Sequence, residues 1–264
     1  MSPPTPIETW TLDTACVGRQ VLVFDQVPST NTLAMEMAQA EEGTVLLALQ
    51  QTAGRGRYGR VWQSRAGTSM LASVILQPPP SLRRPAVLTA WAAVAVGDAI
   101  LRLTGLQARI KWPNDLLIRG KKVCGILIEQ GHTGGSTRTV VGIGLNLNQS
   151  AADFEAATLP DAASLASLSG RTVELRPAVE AVLRALDSEY TRLQNGEQVA
   201  VEADWKWRIG LLGHHVLVEC TDGSSLQGRL RDMSFEALEL EVDSPIPLRI
   251  TPETVAHIRP IGSS

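Results

Sequence analysis

One stretch, Gln51-Thr-Ala-Gly-Arg-Gly-Arg-Tyr-Gly-Arg-Val-Trp62, limits the folds open to this chain more than any other. Glycine frees the backbone to take positive φ and lets a ligand approach closely, because no Cβ intervenes. Gly54, Gly56 and Gly59 therefore belong to a loop, and successive exposed N–H groups in such a loop make an anion-binding nest. Arg55, Arg57 and Arg60 add forked donors suited to phosphate or carboxylate. Without an anion nearby these arginines only repel one another. Strands must deliver the loop: Thr44–Gln51 ahead of it is β-rich, and Ser69–Gln77 beyond it alternates apolar and polar residues.

The glycine spacing alone does not name the anion. Gly54-x-Gly56-x-x-Gly59 has the letters of a dinucleotide fingerprint, but that fingerprint opens a helix, and Arg60-Val-Trp-Gln-Ser64 does not read as one. With Val61 the letters also fit a kinase glycine loop, yet no H-R-D or D-F-G follows. Arg60-Val61 stands where a phosphate-binding P-loop needs Lys and Ser or Thr. Taken alone, the stretch could also be a flexible basic hairpin tip.

The chain has 264 residues, enough for one or two domains and a sizeable core. A net charge of −3 argues against a globally basic nucleic-acid binder. Cys16, Cys124 and Cys220 are odd in number and far apart, which suits a reducing cytoplasm rather than a disulfide framework or zinc ribbon. The N-terminus lacks the basic and apolar regions of a signal peptide. The most apolar segment, residues 86–103, is interrupted by Thr89, Gly97, Asp98 and Arg102, so it reads as a core helix and not a membrane span.

Further polar clusters follow in chain order. Residues 1–18 look irregular, and Val21–Phe24 reads as a short buried strand. Ser29-Thr30-Asn31 then opens a helix expected over 30–41; this is either simple capping or a helix N-terminus that holds a polar ligand group. Pro85 starts the long helix and Gly105 closes it. Arg109-Ile-Lys111-Trp-Pro-Asn-Asp115-Leu-Leu-Ile118 sets a polar knot between apolar flanks, and Pro113 forces the strand to break there. Ordinary turn formation accounts for Asn114 and Asp115 but not for Lys111 and Trp112. Arg119-Gly-Lys-Lys122 reads as a hairpin tip before a strand over Val123–Glu129. Strict alternation along it puts Gly125 and Glu129 on one face and Lys122 and Cys124 on the other. Residues 132–136 read as a glycine-rich turn, and Arg138–Leu145 as a strand running into Gly142-Ile-Gly144-Leu-Asn146. A connector over 147–176 with a helical piece near 162–169 leads to helices over Pro177–Leu193 and Val199–Gly210. Short strands over His215–Cys220, Ser225–Asp232, Ala237–Val242 and Leu248–Ile250 then suggest a small β-barrel. The expected domains are 1–211 and 212–264.

His132, His214, His215 and His257 have no zinc spacing, and there is no G-x-S-x-G elbow. Cys124 reads as core. The chemistry must rest on positioning and electrostatics, with any metal carried by the substrate.

Ser29-Thr-Asn31, Gly54-Arg-Gly-Arg-Tyr-Gly59, Lys111-Trp-Pro-Asn-Asp115 followed by Lys122, and Gly142-x-Gly144-x-Asn146 occur in one order. Jointly they resemble the biotin protein ligases over roughly residues 20–264. The resemblance implies an α+β fold: a mixed β-sheet flanked by helices, similar to class II aminoacyl-tRNA synthetases, with a small C-terminal SH3-like β-barrel. Only about twenty residues precede the first strand, so the expectation is the monofunctional type, without a DNA-binding domain. The implied reaction uses MgATP to convert biotin to biotinyl-5′-AMP. The lysine of a biotin carboxyl carrier domain of acetyl-CoA carboxylase then takes the biotinyl group, in the cytoplasm. A homodimer fits the resemblance; DNA and membrane partners do not.

Carried over by position, Ser29, Thr30 and Gln51 would hydrogen-bond the ureido head of biotin, and Asn31 would also belong to the biotin site. Gly54, the Arg55 backbone and the strand after Gly125 would close that pocket. Arg57 would hold the phosphate. Arg60, Trp62, Lys111, Asn114 and Asn146 would form the nucleotide side, with Asp115 beside the metal. Lys122 would bridge the biotin carboxylate and the α-phosphate. Tyr58 stands where some relatives carry arginine, so position 58 receives no phosphate role. A lipoate ligase shares this logic, and a non-catalytic nucleotide-binding module is the alternative from another class.

Overall fold

The computed structural model describes residues 4–262 except 38, 134 and 135. Among the described residues eight strands form one sheet: β1 (Glu8–Trp10), β2 (Val21–Val27), β3 (Val45–Gln51), β4 (Ser69–Leu76), β5 (Arg109–Lys111), β6 (Asp115–Ile118), β7 (Lys121–Thr133) and β8 (Ser136–Asn146). Their order is β1-β2-β3-β4-β8-β7-β6-β5, with β2 and β3 parallel and the other pairs antiparallel. The helices are α1 (Thr30–Glu36), α2 (Pro85–Thr104), α3 (Ala151–Ala156), α4 (Leu165–Ser169), α5 (Leu175–Gln194) and α6 (Gln198–Ile209). A second sheet holds β9 (His215–Cys220), β10 (Ser225–Met233), β11 (Leu238–Glu241), β12 (Leu248–Ile250) and β13 (Val255–Pro260), in the order β12-β11-β10-β9-β13. Among the described residues no ladder joins β12 to β13, so the hydrogen bonding of the expected barrel is that of an open antiparallel sheet.

Both faces of the large sheet are covered. Every residue of β4 is buried, and the expected alternation does not hold: Ser-Met-Leu-Ala-Ser-Val-Ile-Leu is apolar at all positions but Ser69 and Ser73, as suits a strand covered on both faces. Met70, Ala72, Val74 and Leu76 face the main core under α2 and α5, while Ile75 joins Leu33 and Ala34 of α1 on the other side. Pro85 at the first turn and left-handed Gly105 beyond the last bound α2 as its sequence requires. This helix is long and apolar enough to cross a membrane, but most of it is buried against the sheet and α5. There Trp91 meets Tyr190 at 5.4 Å and donates to Leu186 O at 3.1 Å.

Several expectations fail locally, each for a physical reason. Helix α1 stops at Glu36 rather than 41, because buried Arg138 of β8 donates to the last carbonyls, Ala34 O and Met37 O. Lys121 and Lys122 are not a hairpin tip. Arg119 (φ 51°) and Gly120 (φ 77°) make a two-residue turn by themselves, and Lys121 already pairs with Ile118. The alternation assigned to β7 also breaks. Leu116 opposes Cys124 while Leu117 opposes Lys122, so Val123 is an extra, bulged residue. Lys122 therefore lies on the face of Gly125: a Cβ on that glycine would sit 3.4 Å from Lys122 Cε. Strands β1 and β13 and helix α3 were not expected, and the centre of the 132–136 turn lies outside the described residues.

Candidate active site

The three chemically dense stretches meet on one face of the sheet. A cavity of about 580 Å³ is lined by Ser29, Thr30, Asn31, Gln51, Arg55, Arg57, Arg60, Trp62, Lys111, Asn114, Asp115, Lys122, Gly125 and Asn146 among others. Of the residues singled out from sequence, only Gly54 lies outside it. Gly54 lines an adjoining cavity of about 940 Å³ beyond the glycine loop, which also touches α2, Trp205 and Glu253.

The floor is strand β8. Positions 142, 144 and 146 share a face about 7 Å apart. Asn31 sits against Gly142, the Trp62 ring lies on Gly144 and Gly125, and Asn146 closes the far end by donating to Ala163 O at 3.1 Å. Trp62 thus lies between an amide- and hydroxyl-rich end and a charged end. Its Nε1 is buried and has no hydrogen-bond partner among the described residues.

At the first end Ser29 caps α1. Gln51 Oε1 accepts from Thr30 N at 2.7 Å and from Thr30 Oγ1 at 3.1 Å, which ties the helix start to the end of β3. Ser73 Oγ lies 2.7 Å from Thr30 Oγ1 and 2.6 Å from Asn31 Oδ1. Asn31 Nδ2 donates to Glu129 Oε2 at 2.8 Å. Ser73 and Glu129 were not among the expected site residues. The signal for Glu129 was its place on the face of Gly125.

The glycine loop closes on itself: Trp62 N donates to Gly54 O at 3.0 Å and Gly56 N to Arg60 O at 2.7 Å. A Cβ at Gly54 would meet Trp62 O at 2.3 Å, so this crossing requires glycine. Arg55 Nη2 pairs with Glu129 at 2.8 Å. Arg57 turns to its neighbour, donating to Tyr58 Oη at 3.1 Å. Among the described residues Arg57, Arg60 and Lys111 make no ion pair.

At the charged end Lys122 Nζ lies 2.7 Å from Asp115 Oδ1 and 5.6 Å from the centre of the Trp62 ring. Backbone bonds from Lys122 N to Asp161 O (2.7 Å) and from Ala163 N to Lys122 O (2.9 Å) fix it against the connector. Cys124 is wholly buried, which pushes its thiol well above the usual range, so it is core and not a nucleophile. Asn114 and Asn146 also serve structure: Asn114 Nδ2 donates to Ile126 O at 2.8 Å, and Asn146 is engaged by Ala163 and Gln149. Trp112 is buried, donates to Val255 O at 3.1 Å and packs on Trp205, so it is an anchor to the second sheet. From that sheet His257 reaches the smaller cavity. Among the described residues no cluster of three or more His, Cys, Asp or Glu could hold a metal.

Residues 23–148 match the biotin/lipoate A/B protein ligase family. The bifunctional ligase/repressor BirA of Bacillus spizizenii is 40% identical over 257 residues, covering 96% of this chain and 75% of that protein. The chain belongs to the biotin protein ligases. A second relative of this ligase, the biotin–acetyl-CoA-carboxylase ligase of Mycobacterium tuberculosis, is 32% identical over 225 residues, covering 81% of this chain and 80% of that protein. The ligase shares its fold with the Aquifex aeolicus biotin protein ligase in complex with biotin and ATP, at a TM-score of 0.78 and 23% identity over 91% of this chain and 99% of that one.

Proposed function

We propose that this ligase condenses biotin with MgATP to biotinyl-5′-AMP and pyrophosphate, and then transfers the biotinyl group to one lysine of a biotin carboxyl carrier domain of acetyl-CoA carboxylase. The single observation that carries this reading is the composition of one cavity. Thr30, Asn31 and Gln51, with Ser73 hydrogen-bonded behind the first two, give it amide and hydroxyl groups, and the cationic side chains of Arg57, Arg60, Lys111 and Lys122 line the same cavity.

In the first step a carboxylate oxygen attacks the α-phosphorus, and the bond to the pyrophosphate oxygen breaks. Both reactants are anions, so the main obstacle is their mutual repulsion, and no protein nucleophile is needed. Lys122, paired with Asp115 at 2.7 Å, is the cation we assign to the negative charge that grows in this step. Among the described residues Arg57 and Arg60 pair with no carboxylate, and we assign them to the phosphate oxygens. In the second step the carrier amine attacks the acyl carbon and AMP leaves. Asp115 and Asp161 are the carboxylates of the cavity lining among the described residues, and we assign magnesium to the nucleotide substrate, with Asp115 beside it. We divide the chain into a catalytic unit, 1–211, and a C-terminal unit, 212–264, and assign the reaction to the cytoplasm.

The test is biotin-dependent pyrophosphate release with MgATP, followed by the mass of a carrier domain. Offering lipoate beside biotin separates the rival acid. Lys122→Ala is expected to slow adenylate formation about a hundredfold or more while biotin still binds. Normal turnover by that variant would remove Lys122 from the reaction.

A further inference from the structure

Glu129 receives two segments of the site at a single oxygen. Its Oε2 accepts from Asn31 Nδ2 of α1 and from Arg55 Nη2 of the glycine loop, each at 2.8 Å. Asn31 is itself held tightly, 4% exposed, with Oδ1 2.6 Å from Ser73 Oγ and pressed against Gly142. Arg55 is the one arginine of the loop that forms an ion pair among the described residues, and its backbone bridges Val61 across the loop. One carboxylate on β7 therefore joins the start of α1 and the glycine loop to the sheet. The placement matters as much as the bonds. Asn31 lines the smaller cavity, Glu129 the larger, and Arg55 both. The chain of contacts Asn31–Glu129–Arg55 runs along the boundary between the two cavities.

We propose that Glu129 is a positioning residue that latches the glycine loop through Arg55 and walls the hydroxyl-rich end of the smaller cavity off from the larger one. This rests on the proposed reading of that end as the place of the biotin head. The latch touches no reacting atom. Opening it joins a 580 Å³ site to a 940 Å³ cavity, admits water and gives the bound acid a second way out. The negative charge is essential: a glutamine of the same shape can still accept from Asn31, but it loses the charge-assisted bond to Arg55.

Glu129→Gln is the test, with two readouts. In the ligand-free protein, limited trypsin cleavage after Arg57 and Arg60 should become several times faster. In turnover, KM for biotin should rise roughly two- to fivefold, the scale of a partly exposed charged pair, with kcat within about twofold. Arg55→Met should reproduce both changes, and the double variant should add little to either, which a merely structural role at Glu129 would not produce. Arg65→Ala removes another ion pair (Arg65–Asp153, 3.1 Å) and should leave both readouts unchanged. Equal cleavage rates in Glu129→Gln and the unaltered protein overturn the latch, whatever acid the site binds. Should Glu129→Gln not fold, Arg55→Met alone decides by the same criterion. Absence of biotin-dependent pyrophosphate release from the unaltered protein would instead sink the functional reading, and the cleavage arm would still judge the latch.

Discussion

A methyl group added at Gly142 would lie 2.3 Å from Asn31 Oδ1, and one at Gly144 would lie 2.5 Å from Trp62 Cε2. Neither glycine has positive φ, so glycine is needed there for space and not for backbone freedom. Gly142→Ala should therefore fold, at an overpacking cost of about 1–3 kcal/mol, and push Asn31 off Ser73 and Glu129. We expect KM for biotin to rise tenfold or more with a smaller change in kcat. Urea unfolding and steady-state kinetics on the same preparation check this, and an unchanged KM would show that Asn31 does not shape the pocket. The sequence named most residues of this site, because charge and glycine spacing are local. It misjudged the surroundings of single residues. The side of the sheet taken by Lys122 depends on a bulge at Val123, a backbone event that alternation cannot register. The Asn114 and Asn146 amides looked available but serve carbonyls of β7 and of the connector.

Elements with a continuous apolar run, such as β3 and β9, were legible to within a residue or so. Those held by distant partners were not. Strand β1 is three residues long and pairs only at an edge, and β13 has an irregular burial pattern and a register shift between Val255 and His257. Helix α3 is only six residues, although the reciprocal bonds of Ser150 and Asp153 make a capping box that its sequence signals. The segment before β2 shows the same dependence on a distant partner. Asp187 of α5 is 8% exposed and accepts from Ala15 N at 2.8 Å, Cys16 N at 2.7 Å and Val17 N at 2.8 Å. A carboxylate more than 160 residues away thus orders a stretch that has no periodicity of its own. Asp187→Ala leaves these donors unpaired and should cost about 2–4 kcal/mol, read as a lower urea midpoint at constant slope. Because Asp187 is remote from the cavity lining, KM values should stay put. A midpoint within experimental error of the unaltered protein would mean that water replaces the carboxylate without loss.

At the scale of the whole molecule, the pose of the C-terminal sheet is set by the site turn. Trp112 sits between Lys111 and Pro113 and packs at a tilt on Trp205 of α6 at 5.6 Å, and Trp205 meets Phe235 at 5.3 Å. Arg84, at the foot of α2, pairs with Glu236 and Glu253, and its hydrogen bond to Glu253 raises its already high pKa further. None of this is legible as a pattern in the sequence, since every contact joins residues far apart along the chain. The strand that receives the Trp112 Nε1 bond at Val255 O also carries His257 into the lining of the smaller cavity. Fixing the turn and fixing His257 are therefore one task. Trp112→Phe keeps an aromatic ring but removes the donor, leaving Val255 O short of a partner at a cost of about 1 kcal/mol. The C-terminal sheet should then open more often, giving faster amide hydrogen exchange over residues 250–260. KM for ATP should rise severalfold while KM for biotin stays unchanged, because the side-chain hydrogen bonds of the Thr30–Gln51 end run to Ser73 of the large sheet. A parallel rise in both constants would mean that Trp112 acts by shaping the turn itself, and the second sheet would lose its place in the nucleotide half of the site.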